Sequence, residues 1–129
     1  MLSQYAFSRP VVRWVRTLAW LCVFAITVLS LLPGEARPHT RLPGRLEHTM
    51  AYAGTGFLFW FGYSKPRHRR LIWIGLAIAS GVFEALQNFI PGRSPSILDA
   101  LASTLGLTFG FIGAALLDRS ISSREGEKD

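Results

Sequence analysis

The stretch FEALQNFIPGRSPSILDALAS, residues 83 to 103, holds two carboxylates, an amide and a guanidinium: Asp99 and Glu84, Gln87, and Arg93. Upstream, Arg45 and His48 add a second cation and an imidazole. A carboxylate held away from water suits a general acid or base, with His48 as its partner or as a nucleophile. Arg45, His48 and Arg93 together suit a bound phosphate or carboxylate. Glu84, His48 and Asp99 are therefore the candidate catalytic groups. The candidate ligand-binding set is Arg45, His48, Glu84, Gln87, Arg93, Asp99 and Ser103. Each also has a plain structural reading. Ser96-Ile97-Leu98-Asp99 is a capping-box pattern, and an acid in the first helical turn meets the positive end of the dipole. Arg93 in a Pro-Gly-Arg turn suits an interfacial basic residue, His48 a solvated histidine at a helix start, and Glu84 one half of a buried ion pair. The three potential ligands are scattered, without HExxH-type spacing, so neither a metal nor a cofactor is expected.

These groups sit in an oily chain. Of 129 residues, 50% are hydrophobic and 17% charged, and mean hydropathy is +0.29. A small soluble domain exposes much of its area and needs more polar residues to cover it. The apolar residues are also clumped, which points to the bilayer as solvent. Four candidate spans, residues 14–32, 46–63, 71–90 and 97–117, each approach the ~20 residues that cross a hydrocarbon core. The expected fold is an all-α membrane protein with four transmembrane helices, a single domain over residues 1–117, and a polar, disordered tail over 118–129. The second span begins with Glu47 and His48, so a re-entrant or interfacial helix is its alternative. Arg13 and Arg16 precede the first span as in a signal peptide, but Leu32-Pro33-Gly34-Glu35-Ala36 is a poor cleavage site. The span reads as retained.

Basic residues set the orientation. Arg9, Arg13 and Arg16 precede span one, and Lys65, Arg67, Arg69 and Arg70 fill the loop after span two. Lys and Arg in short loops stay cytoplasmic, which puts both termini inside, and Trp14, Trp60 and Trp73 at the inner ends agree. The formal charge of +6 reports this topology and attraction to anionic lipid. No aromatic-basic platform for nucleic acid is present. Cys22 is alone, so no intrachain disulfide forms, and it suits a small apolar membrane residue.

The odd stretch then lies at the outer rim, beside the start of span two. Glu84 precedes Ile90 by six residues, roughly 9 Å below that end, where a lone ionised carboxylate costs ~1–3 kcal/mol. It must face protein or water. Ser80, Glu84 and Gln87 share one helical face, as do His48 and Tyr52. Ala102, Gly106, Gly110 and Ala114 form a small-residue row in span four, and Ala77, Gly81 and Ala85 form another in span three. Such rows let helices approach closely, so spans three and four are expected to make a tight hairpin. The polar groups would line an outer-leaflet pocket between helices two, three and four.

Glu84-x-x-Gln87, Pro91-Gly92-Arg93, Ser96, Asp99 and the glycines at 106 and 110 resemble the VanZ-like family, over about residues 44 to 117. That family's upstream Asp-Lys-x-x-His motif is matched by Arg45 and His48, with Gly44 in place of the Asp. Ser103 stands where the family has Asn. The resemblance implies a small four-helix, multi-pass protein of the bacterial cytoplasmic (inner) membrane, associated with teicoplanin resistance and without an assigned reaction. Two functions follow as expectations. One is a module that binds an anionic envelope component, a lipid-linked phosphate or a cell-wall precursor, and so modulates glycopeptide sensitivity or envelope homeostasis. The other is an intramembrane enzyme using Glu84 and His48 on a lipid-linked substrate. Four short helices leave little room for the alternating access of a transporter.

Overall fold

A computed structural model describes residues 8–38 and 41–126. Four helices account for most of them: α1 (Arg9–Leu31), α2 (Gly44–Gly62), α3 (Pro66–Gln87) and α4 (Ile97–Gly126). No strand occurs among the described residues. Proline opens α1 and α3 in their first turn, where its missing N–H costs nothing. Between α1 and α2 lies a single 3-10 turn, Gly34–Ala36.

Two boundaries differ from expectation. α3 stops at Gln87 instead of Ile90, so Glu84 lies only one turn, about 4.5 Å, below the helix end. α4 continues past Leu117 through Gly126, which makes residues 118–126 helical where a disordered tail was expected. Residues 1–7 and 127–129 of the two expected segments lie outside the described residues.

α1, α3 and α4 are long and apolar enough to cross a membrane. Their outward faces carry Trp14, Phe24, Ile78 and Phe109, each more than half exposed. The interior is mixed: Tyr52, Phe59, Leu107 and Ala114 are buried beside Thr55, Ser80, Glu84, Gln87 and Ser103. Large apolar groups outside with small and polar groups inside is the arrangement that helices adopt in lipid. α2 does not qualify as a span on its own composition, since Arg45, Glu47, His48 and its glycines dilute it. Its 19 residues nonetheless reach about 28 Å.

The closest helix pair is α2 with α4, not α3 with α4. An added methyl group at Gly106 would overlap the Thr49 carbonyl, and one at Gly110 the Ala53 carbonyl; at Gly56 it would come within 2.7 Å of the Leu107 carbonyl oxygen. Gly81 of α3, by contrast, faces open space. The glycine row of α4 therefore lies under Thr49, Ala53 and Gly56 of α2, small residues that let the two backbones touch. α3 meets α4 through side chains, as where Trp73 Nε1–H donates to Thr108 Oγ1 at 3.1 Å.

The helices run up and down, so the C-terminal ends of α1 and α3 and the N-terminal ends of α2 and α4 share one end. There Gly34 N–H donates to the Pro91 carbonyl at 3.1 Å, and Gln87 Nε2–H donates to the Ser30 carbonyl at 3.1 Å. At the other end, Arg16 Nε donates to the Gly62 carbonyl at 2.5 Å, and Arg69 donates to the carbonyls of Trp60 and Tyr63. Two guanidiniums from neighbouring helices thus satisfy carbonyls that the end of α2 leaves open.

Candidate functional site

The connection from α3 to α4 builds the site. Asn88 closes α3, its Nδ2–H donating to the Ala85 carbonyl at 3.0 Å. Gly92 then takes φ +72, a conformation that glycine adopts without strain. Gly34 packs so closely on Gly92 that any side chain there would overlap the Gly92 carbonyl. The α3–α4 turn is thereby pressed against the loop that follows α1.

Ser96 starts α4 by accepting the Leu98 N–H at 3.2 Å on its Oγ. In a capping box the acid three residues on would reach back to the Ser96 N–H. Here Glu84 Oε2, from α3, accepts that N–H at 3.0 Å. The capping role expected of Asp99 is thus half taken over by Glu84. Asp99 instead meets Arg45 Nε at 3.4 Å across the gap to α2. No ion pair joins Glu84 to Arg93 or His48 within 4.0 Å among the described residues.

Ser103 links α4 to His48. Its hydroxyl donates to the Asp99 carbonyl at 2.9 Å and its Oγ lies 3.3 Å from His48 Nδ1. A hydroxyl has one proton; with it given to the carbonyl, Oγ accepts from Nδ1–H. This assignment, made from the hydrogen-bond network, leaves the Nε2 lone pair of His48 free. A ring nitrogen of His48 and one carboxylate oxygen each of Glu84 and Asp99 lie within 4.8 Å of one another. Three groups that sequence spacing left scattered are brought together by α2, α3 and α4.

Two cavities flank this cluster. A polar one of about 340 Å³ is lined by Gly34, Leu42, Gly44, Gln87, Gly92, Ser94 and Asp99. An apolar one of about 200 Å³ runs along α1 and α2 past Ile26, Leu29, Ser30, Ala51 and Tyr52. Arg37, Pro38, Glu47, His48 and Arg93 line both. The pocket expected between α2, α3 and α4 is therefore closed by α1 and the first loop as well. Gly44 lies at the polar wall with open space where a Cβ would stand.

Arg93 is partly buried. Burial lowers its guanidinium from the usual value, Arg37 adds to the lowering, and Glu84, Asp99 and Glu47 oppose it. It makes no ion pair within 4.0 Å among the described residues, whereas Arg37 pairs with Glu47 and Arg45 with Asp99. Among the described residues, Arg93 is thus the arginine of the cavity lining without an ion-pair partner. Arg37 and Glu47 were not among the expected site residues. Their mutual pairing across the first loop left no short-range signal, because its partners come from a loop and a helix start.

The remaining expected residues fall as follows: Gln87 is buried with its amide on Ser30, and Ser103 is buried between Asp99 and His48. No protein-family model, curated protein or solved structure matches this chain.

Proposed function

We propose that this chain is a four-helix inner-membrane protein of the VanZ-like kind, with both termini cytoplasmic, that binds a lipid-linked phosphate or similar anionic cell-wall precursor from the outer leaflet. One observation carries this reading: a polar cavity and an apolar one share the wall formed by Arg37, His48 and Arg93. An amphiphile needs both, a polar chamber for its head and an apolar slot for the start of its chain. The unpaired Arg93 supplies a charge-assisted contact, and the N-terminal ends of α2 and α4 point their positive dipole ends at the same region. The residue pattern shared with the VanZ-like family links such a ligand to envelope homeostasis and glycopeptide sensitivity.

The orientation rests on the basic residues at the opposite end, which hold that end in the cytoplasm. α2 crosses with the others because α1 and α4 cover it, so it meets protein where they meet lipid. A second reading, an enzyme using His48 and Glu84 on the same lipid-linked substrate, is favoured by the free Nε2 lone pair and the short spacing within the cluster.

Native mass spectrometry of the protein released from mild detergent tests the binding reading. A retained polyprenyl-phosphate adduct is expected, and Arg93→Ala should lower its occupancy about tenfold, the loss of roughly 1.4 kcal/mol. Wild-type protein that carries no such lipid, even after incubation with polyprenyl phosphate, would rule the reading out.

A further inference from the structure

We propose that His48, Glu84 and Asp99 form a binding site for one divalent first-row ion, Mn2+ or Zn2+, beside the polar cavity, whose wall includes His48 and Asp99. The three donor atoms lie within 4.8 Å of one another and come from three different helices. Ligand atoms bound to one such ion at about 2.1 Å sit roughly 3–4 Å apart, so only a small closure completes the set.

Charge points the same way. Two carboxylates this near each other repel unless a cation lies between them. Arg45 reaches Asp99 and Arg93 is near enough to interact with both carboxylates, but no Lys, Arg or His nitrogen comes within 4.0 Å of Glu84 among the described residues. Glu84 is only 7% exposed, and hydrogen bonding among the described residues engages one of its carboxylate oxygens, the Oε2 that accepts Ser96 N–H. A carboxylate in this state keeps lone pairs for a further partner.

Each donor is also held from behind. Ser103 takes Nδ1 of His48, the Ser96 N–H takes Glu84 and Arg45 takes Asp99. Partners of this kind fix metal-binding side chains in orientation, and a histidine held through one nitrogen presents the lone pair of the other. One imidazole with two carboxylates, and no thiolate, selects Mn2+ or Zn2+ over softer ions. Fewer than four protein donors leave positions open toward the cavity. There the ion would bridge the phosphate of an incoming ligand, a role that rests on the anion-binding reading above, whereas the ion site itself does not.

The test uses the full chain in detergent, stripped with chelator and titrated with Mn2+ while the free aqua ion is followed by electron paramagnetic resonance, with Zn2+ as competitor. One Mn2+ per chain is expected, displaced by Zn2+. His48→Gln and Asp99→Asn should each weaken binding roughly 100-fold and Ser103→Ala about tenfold. Glu35→Gln, an exposed carboxylate in the 3-10 turn, should bind as wild type. Melting curves report folding alongside: Mn2+ should raise the melting temperature of wild type and not that of His48→Gln or Asp99→Asn. Wild-type protein without stoichiometric Mn2+ or Zn2+ binding, or with equal affinity in His48→Gln, overturns the ion site. Polyprenyl-phosphate binding measured with and without chelator separates the two readings. Binding lost on chelation supports the bridge, and binding unchanged by chelation overturns it while leaving the anion reading intact.

Discussion

Glu84 belongs to α3, yet its carboxylate accepts the Ser96 N–H at 3.0 Å, an amide just before α4 that no residue within that helix satisfies. This explains why an acid is tolerated in the last turn of an otherwise apolar helix: it replaces the reciprocal half of a capping box from a different helix. Glu84→Leu strands that N–H and should cost about 1–3 kcal/mol, while Glu84→Gln keeps a carbonyl acceptor and should cost about 1 kcal/mol or less. Melting temperatures in detergent compare the two, and equal losses would assign the role to charge instead of the hydrogen bond. The types of residue in the site were legible from spacing: a carboxylate one helical face with Ser80 and Gln87, and a histidine beside Tyr52. Their partners were not, because Ser96 and Glu84, or Ser103 and His48, are separated in the chain by a turn or by a whole helix.

α2 is the one helix of the four that falls short of a span by hydropathy, and it has the largest share of its residues packed inside, among them Tyr52, Thr55, Gly56 and Phe59. Hydropathy marks helices that face lipid, so a helix surrounded by others scores low for a physical reason. The glycine row of α4 was visible in the sequence, and small residues do mark a close helix contact. The identity of the neighbour was hidden, since α2 offers its own small row as Thr49, Ala53 and Gly56, and it opens on a Thr instead of the Gly or Ala that mark such rows most plainly. Gly106→Leu and Gly110→Leu each push a side chain into the α2 backbone and should destabilise by about 3 kcal/mol or more, the upper range of overpacking. Gly113, with open space around it, should accept Leu with little change. Thermal melts of the three variants check this, and a loss at Gly113→Leu matching the other two would contradict the α2–α4 contact.

Across the whole molecule the two ends differ in kind. One gathers the cluster, both cavities and the Gly34–Gly92 contact. The other is basic and aromatic, with the Arg69 guanidinium 3.6 Å over the Trp60 ring, Arg16 4.7 Å over Tyr63 and Trp20 Nε1 donating to Tyr63 Oη at 2.9 Å. Arg16 and Arg69 therefore cap α2, and in the proposed orientation they also carry charge that keeps this end inside. The proposed orientation places Ser94, exposed in the α3–α4 turn, outside the cell. Ser94→Cys in a Cys22→Ala background should react with an impermeant maleimide in intact spheroplasts. Reaction only after lysis would invert the topology and put the cavity on the cytoplasmic side.

Clumped apolar residues, prolines at the helix starts and breaks, and the separation of basic from site residues determined four helices and their approximate limits, because these are local properties of the chain. The polar set Arg45, His48, Glu84, Gln87, Arg93, Asp99 and Ser103 was likewise readable, since charge within an apolar run is costly wherever the run folds. Three things required tertiary structure. Pairing α4 with α2 depends on which small rows meet, a matter of helix rotation that periodicity alone leaves open. The end of α3 at Gln87 shows only in the folded turn, where the Asn88 side chain donates to the Ala85 carbonyl and Gly34 then meets Pro91 and Gly92. The gathering of His48, Glu84 and Asp99 within 4.8 Å depends on three helices converging, and spacing along a sequence carries no information about groups that only a bundle brings together.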